Sequence, residues 1–344
     1  MQKENWVSTM DKSLLKYNFV IVQGGADYNR VATFGLFNRK DVKVFFELCK
    51  EKPSKFDKIL YAIFKSSKVD KYKKMPFLKR WQKKFENIEF EDSSKPLCFV
   101  INAGLTYSRF SYEFLDFLHR KYPQAKFVAF YNDIISSKQA GGSPNALKSY
   151  YDLITCYDKD DAEKYGLVYY PTFFSDYAVQ ENPNIEYSDV YFVGAAKNRL
   201  SKILEVYKIC NDAGLKCDFY IKDVPLQKRL MLPGIHYLEK NMSYIENLEH
   251  VVKSRCLLEI MQKGAVGATF RLWEAINYGK ALITDNKSIQ ESDFYDAKYV
   301  TVIECLGRMD LSFIKNFKTF ENPLKDKIRP KHFLKFIQEK LENM

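Results

Sequence analysis

The sequence predicts an α/β protein made of two doubly wound parallel sheets. Short apolar runs of strand length recur along the chain, each followed by a loop and then by an amphipathic segment of helical length. The pattern breaks once, at the polar stretch Gln180–Ser188 (QENPNIEYS), and then restarts. The length of 344 residues suits two domains of about 150 residues, each able to bury its own core.

The elements follow in order. Asn18–Gln23 (NFVIVQ) reads as a strand leading into Gly24-Gly25-Ala26-Asp27. Leu97–Ile101 is a second strand, with a helix near Phe110–Lys121 after it. Lys126–Tyr131 runs into Asn132-Asp133, and Leu153–Tyr157 into the polar helix Asp158–Tyr165, whose DKDD start places acids where they favour the helix dipole. After the polar stretch, Asp189–Val193 is a strand ending at Gly194. Leu200–Asn211 is a helix closed by Gly214, and Cys217–Ile221 is again a strand. Cys256–Met261 ends a helix or strand, Gly264–Thr269 is a loop, Arg271–Tyr278 a helix stopped by Gly279, and Ala281–Thr284 a strand. These readings give domains of residues 1–182 and 183–328, with an amphipathic helix over 329–344. Phe333, Phe336, Ile337 and Leu341 form the apolar face of that helix, placed to pack back on the first domain.

Several classes are excluded. No apolar run approaches the roughly 18 residues of a membrane span. Met1–Leu14 lacks the apolar core of a secretory signal. The seven cysteines are scattered with no CxxC, which argues for reduced core thiols rather than zinc or disulfides. His119, His250 and His332 stand in polar helical surroundings and are expected in solvent, and their spacing does not suggest a metal site.

The segment Gly264–Asn286 (GAVGATFRLWEAINYGKALITDN) carries the chemistry. Thr269 can cap a helix beginning near Phe270, and such an N-terminus offers free N–H groups to a phosphate. Arg271 and Glu274, three apart, share a face: the one can pair with a diphosphate and the other accept from ribose hydroxyls, or the two form a surface ion pair.

This segment resembles the donor-binding segment of GT-B glycosyltransferases, especially bacterial enzymes that assemble capsule, O-antigen or lipopolysaccharide. Asp189–Leu200 (DVYFVGAAKNRL) resembles the first strand and phosphate-facing loop of their C-terminal domain, and Asp152–Pro171 the end of the N-terminal one. The resemblance spans about residues 150–290 and implies two Rossmann-like domains around a donor/acceptor cleft. It implies a nucleotide-sugar donor held by Gly194, Lys197, Arg199, Thr269, Phe270, Arg271 and Glu274, with His236 and Tyr237 beside the base. Arg271 would also stabilise the leaving nucleotide. It implies a saccharide or lipid-linked acceptor and no metal or other cofactor.

The sequence departs from the retaining pattern of two glutamates separated by seven residues: Val266 stands eight before Glu274, and no acid lies within Gly264–Phe270. Inverting and retaining courses therefore both stay open. An inverting course needs a base. Asp27 and Asp133 both follow strands, where α/β crevices place functional groups, and Asp27 is preferred because Gly24 and Gly25 allow close approach.

The net charge of +11 is concentrated. Lys50–Phe85 holds thirteen Lys and Arg against three acids. Within it, Lys65–Phe85 interleaves cations with Tyr72, Phe77, Leu78, Trp81 and Phe85, a composition suited to an anionic membrane surface. A cytoplasmic protein, peripheral on the inner face of the membrane, is expected. No RNP, helix-turn-helix, KH or zinc-finger pattern points to nucleic acid. A nucleotide-sugar epimerase and a non-catalytic basic lipid- or nucleic-acid-binding protein remain the alternative readings.

Overall fold

The computed structural model describes residues 15–47, 54–64, 82–105, 109–135, 143–262, 267, 269–306, 309 and 311–344. The first half forms strands β1 (Asn18–Gln23), β2 (Val42–Phe46), β3 (Leu97–Asn102), β4 (Lys126–Tyr131), β5 (Leu153–Cys156) and β6 (Val168–Tyr169). Its helices are α1 (Asp27–Thr33), α2 (Lys55–Phe64), α3 (Arg109–Lys121), α4 (Pro144–Leu147) and α5 (Lys159–Tyr165). The second half forms β7 (Ser188–Ala195), β8 (Cys217–Lys222), β9 (Ile235–Leu238), β10 (Ser254–Glu259), β11 (Ala281–Thr284) and β12 (Val300–Val302). Helices α6 (Leu200–Asp212), α7 (Tyr244–Val252), α8 (Phe270–Tyr278), α9 (Ser312–Asn316) and α10 (Pro330–Glu342) accompany these strands.

Both sheets are parallel and six-stranded, in the orders β2-β1-β3-β4-β5-β6 and β12-β11-β10-β7-β8-β9. The two-domain α/β architecture expected from the periodicity is therefore present. Where the sequence left Cys256–Met261 between helix and strand, the chain forms β10. Where Asp27 stood in a loop, it opens α1.

Strand alternation divides each domain into two cores. In the first sheet Val20, Val22, Phe99 and Phe127 face α3, meeting Phe114, Leu115 and Leu118. The alternate residues Phe19, Ile21, Val100 and Phe130 face the other way, against Phe333, Leu334, Ile337 and Leu341 of α10. The C-terminal helix thus completes the first domain. In the second sheet Val190, Phe192, Phe219 and Leu258 meet Ile203, Val206 and Tyr207 of α6. On the other face Tyr191, Leu257 and Leu282 meet α7 and α8 through Leu248, Val251, Leu272 and Trp273.

To reach the first domain, the C-terminal chain runs beside the outgoing connection. The N–H of Phe174 donates to Ile328 O (2.7 Å). Arg329 Nη1 donates to Phe174 O (3.2 Å) and to Asn277 Oδ1 of α8 (2.7 Å). Ser175 ties the same connection to α1 by donating to Ala32 O (2.7 Å). Because Leu334 and Ile337 are fully buried, Ile337→Ala is expected to cost about 2–5 kcal/mol. Urea denaturation checks this, and a loss under about 1 kcal/mol would show that α10 is a detachable cover.

Candidate active site

In each sheet the first strand lies inside the order, so successive connections leave on opposite sides. The crevice at such a switch point, beyond the carboxyl ends of the strands, is where α/β sheets hold ligands. In the first domain it lies between β1 and β3, in the second between β7 and β10. The two crevices face each other across one cleft of about 850 Å³. Gly24, Gly25, Asp27, Tyr28, Glu47, Asn102, Asn132 and Asp133 line one wall. Gly194, Ala195, Lys222, Asp223, Asn241, Met242, Tyr244, Asn247, Phe270, Arg271 and Glu274 line the other.

Helix α8 begins at the cleft. Thr269 caps it by accepting from the N–H of Arg271 (3.1 Å), and its own hydroxyl donates to the carboxylate of Glu259 at the end of β10. Glu259 also accepts from Thr284 (2.5 Å), and burial raises its pKa against the pull of both hydroxyls. Of the loop before the helix, residues 263–266 and 268 lie outside the described residues.

One turn into α8, Glu274 is 1% exposed. Its Oε1 accepts from Tyr244 (2.7 Å) and from Asn247 Nδ2 (3.1 Å), and its Oε2 from Arg271 Nη1 (2.5 Å). Arg271 reaches further, to Asn247 Oδ1 (3.2 Å), and its guanidinium lies over the Tyr191 ring, 5.8 Å from the centroid. Burial opposes the guanidinium charge. Glu274, followed by the phenols of Tyr191 and Tyr244, outweighs burial and holds the arginine pKa above its ordinary value. Burial, and then the charge of Glu274, push the Tyr244 phenol well up. The pair is a largely buried ion pair, not a surface contact.

The remaining expected residues divide between the cleft and its surroundings. Gly194 lines the cleft, and a Cβ there would stand 2.9 Å from Arg199 Nη2, so any larger residue would have to displace that guanidinium. Arg199 itself donates to Ala195 O (3.1 Å) and to Ile260 O, tying the end of β7 to the end of β10. Lys197 is exposed and donates to Gln262 (2.8 Å). Tyr237 lies behind the lining, with its hydroxyl on the backbone of Leu230. His236 stacks on Tyr220, with centroids 4.7 Å apart. His250, expected in solvent, is buried with Nδ1 2.7 Å from Asp218. Asp27 is exposed at the first turn of α1, and its carboxylate takes no hydrogen bond among the described residues. Asp133 is exposed and accepts from the N–H of Ile134 (2.9 Å).

Sequence reasoning passed over the groups that complete the walls. Tyr244 and Asn247 come from α7, whose capping box, Ser243 accepting from the N–H of Glu246, was the available signal. Tyr28 packs edge-on to Phe270 at 5.2 Å and joins the two walls. Glu47 takes a left-handed backbone (φ 60°) at the end of β2, and its Oε1 accepts from the N–H of Gly25 (2.9 Å). Among the described residues no group of His, Cys, Asp and Glu is arranged to hold a metal ion.

No protein-family model matches the chain, and no curated protein sequence does. Solved structures do match. Trehalose-6-phosphate synthase OtsA aligns with a TM-score of 0.55 over 95% of this chain and 99% of its own, at 11% identity. The fold is that of GT-B glycosyltransferases. An apo structure of OtsA gives a TM-score of 0.51 over 95% and 99% of the two chains, at 10% identity. TarM gives 0.44 over 72% of this chain at 11% identity, and this chain spans 54% of its length.

A smaller cavity of about 480 Å³ opens at the opposite, amino-terminal edge of the second sheet, lined by Tyr187, Ser254, Arg255, Tyr278, Lys280 and Thr319. Lys280 is buried there, donating to Val252 O (2.8 Å) and Thr319 Oγ1 (3.2 Å), and burial lowers its pKa from 10.5 to about 8. Between those values the unfolded chain holds a proton that the folded one has shed. Stability from this group therefore rises with pH through that window. Against a Lys280→Met control, which has no proton to lose, the wild type should gain up to about 3 kcal/mol between pH 7 and pH 10. A pH-independent difference in urea midpoints would contradict this.

Glu274→Ala leaves Arg271 buried without its counter-charge, at an expected loss of about 3–5 kcal/mol. The double variant Arg271→Ala/Glu274→Ala should lose less than the sum of the single changes. Additive losses would show that the two side chains act independently.

Proposed function

We propose that the protein is a glycosyltransferase that moves a sugar from a nucleotide-sugar donor to a saccharide or lipid-linked saccharide, in the assembly of bacterial surface polysaccharide. The observation that carries the reading is the pair of facing switch-point crevices, with the Arg271–Glu274 pair and the start of α8 in one of them. Two walls, each of the kind that holds a ligand at strand ends, fit two substrates meeting in the cleft.

In this reading the donor lies on the second wall. Its diphosphate meets the first N–H groups of α8 and the guanidinium of Arg271, which carries the charge of the departing nucleotide without a divalent ion. Glu274 has its lone pairs engaged by three donors, so it acts first by fixing Arg271 and Tyr244 towards the nucleotide. Gly194 leaves room for the donor at the end of β7. The acceptor lies on the first wall, among Gly24, Gly25, Asp27 and Asp133. In an inverting course Asp27 takes the proton of the attacking hydroxyl as the new bond forms at the anomeric carbon. The bond to the nucleotide diphosphate breaks, and the nucleotide leaves with the electron pair.

The reading places the enzyme in the cytoplasm, peripheral on the membrane through Lys65–Phe85, of which residues 65–81 lie outside the described residues. Among the described residues no helix is long and apolar enough to cross a membrane.

A melting screen against UDP, GDP, CMP and dTDP should single out one nucleotide that raises Tm, unaffected by EDTA. No shift with any of them would overturn the reading. Asp27→Asn should lower kcat by about 10²–10⁴-fold while leaving nucleotide affinity unchanged, measured by nucleotide release and calorimetry. Unaltered turnover would remove Asp27 from the reaction.

A further inference from the structure

Between β8 and β9 the chain projects a loop, Val224–Gly234, to which sugar transfer gives no role. Its apolar side chains point outward: Leu226 is 72% exposed, Leu230 48%, Met231 95% and Leu232 37%. Elsewhere in this domain leucines such as Leu248, Leu257, Leu272 and Leu282 are buried. The outward placement is built in. The Tyr237 hydroxyl accepts from Leu230 N (2.7 Å) and lies 3.1 Å from Leu230 O as donor. Arg229 Nε donates to Val224 O (3.0 Å), while its guanidinium pairs with Glu239 (2.7 Å) and lies over the Tyr237 ring. Tyr207 donates to Pro233 O (2.7 Å). At Gly234 (φ 74°) a Cβ would stand 2.0 Å from Cys217 O, so the turn back into β9 admits only glycine. A loop held at both feet and in the middle presents these side chains as a preformed apolar tip.

We propose that this tip inserts into the surface of a membrane containing anionic lipid and holds the protein there. Charge supports this occupant: Lys222, Lys228, Arg229 and Lys240 flank the tip against Asp223 and Glu239, and basic residues around an exposed apolar element are the composition of an interfacial anchor. Size supports it too. Four side chains on one loop fall well short of the roughly 800 Å² per partner that a stable protein interface takes. Position gives the contact a use. The outgoing foot, Lys222 and Asp223, lines the cleft, and the loop then runs along the sheet edge to Gly234 beside Cys217, so a bilayer would meet the flank of the second domain and leave the cleft open. The insertion depends neither on the identity of the donor nor on Lys65–Phe85.

Flotation of the full chain with phosphatidylcholine vesicles, with and without phosphatidylglycerol, tests the proposal. The wild type should float with the anionic vesicles, and Leu226→Ser/Leu230→Ser/Met231→Ser should bind about tenfold or more weakly. The Tm and nucleotide response of that variant should be unchanged, which separates a failure here from a failure of the transferase reading. In Met231→Trp, emission should shift to the blue and be quenched by brominated lipid beyond the wild-type level. Equal flotation of the triple variant, or an unquenched tryptophan, would overturn the proposal. So would a dimer in light scattering that the triple variant abolishes, since a second copy would then cover the tip.

Discussion

The cleft depends on a buried charge. A carboxylate that is 1% exposed is tolerable in a protein interior only when its charge and lone pairs are matched. Glu274 meets that demand with groups from two helices: Arg271 from its own, Tyr244 and Asn247 from α7. The requirement is reciprocal, because the arginine is largely buried as well and its pKa is held up chiefly by that carboxylate. Helix α7 is therefore tied to the start of α8 by hydrogen bonds to that charge as well as by the apolar contacts of Leu248 and Val251. The cleft surface of the second domain is the outer face of this network.

A second constraint sets the wall opposite. The first domain lacks a cover on one sheet face until α10 returns to supply it, and that helix follows the whole second domain in sequence. The chain must therefore cross between domains twice. The two crossings bond to each other through Phe174 and Ile328, and Arg329 bonds to both the outgoing connection and α8. Folding the first domain to completion thus requires the second to be in place. Tyr28 and Phe270 then meet at the base of the cleft between switch points that would otherwise be independent.

Much of this was legible in residue order, and the misses share a cause. The strands recognised from apolar runs, β1, β3, β4, β5, β7, β8 and β11, are interior to the two sheets, and all but β8 are buried on both faces over half or more of their length. Those overlooked, β2, β6, β9 and β12, are the four edges. An edge strand is partly exposed (β9, Ile235–Leu238, has no buried residue), so its sequence lacks the continuous apolar signal. In the site, i,i+3 spacing brought out Arg271 with Glu274, but spacing along one helix cannot reveal Tyr244 or Asn247, which arrive from another. Nor does it show that Arg199 is taken up by two backbone carbonyls, a consequence of how the ends of β7 and β10 fall together.

Charge illustrates the same separation between composition and site. The described side chains on the first wall are not basic: Asp27, Glu47 and Asp133 stand there with Asn29, Asn102 and Asn132. The second wall holds Lys222 and Arg271, and each has a partner, Asn241 for the lysine (2.7 Å) and Glu274 for the arginine. A molecule with a net charge of +11 thus presents carboxylates and amides, groups that accept and donate to hydroxyls, where an acceptor would lie. Its surplus of cations resides in the 50–85 segment. Surplus charge acts over a Debye length of about 8 Å and so bears on which surface the protein approaches. Recognition inside the cleft rests on hydrogen bonds at contact distance, and these are set by the register of two sheets.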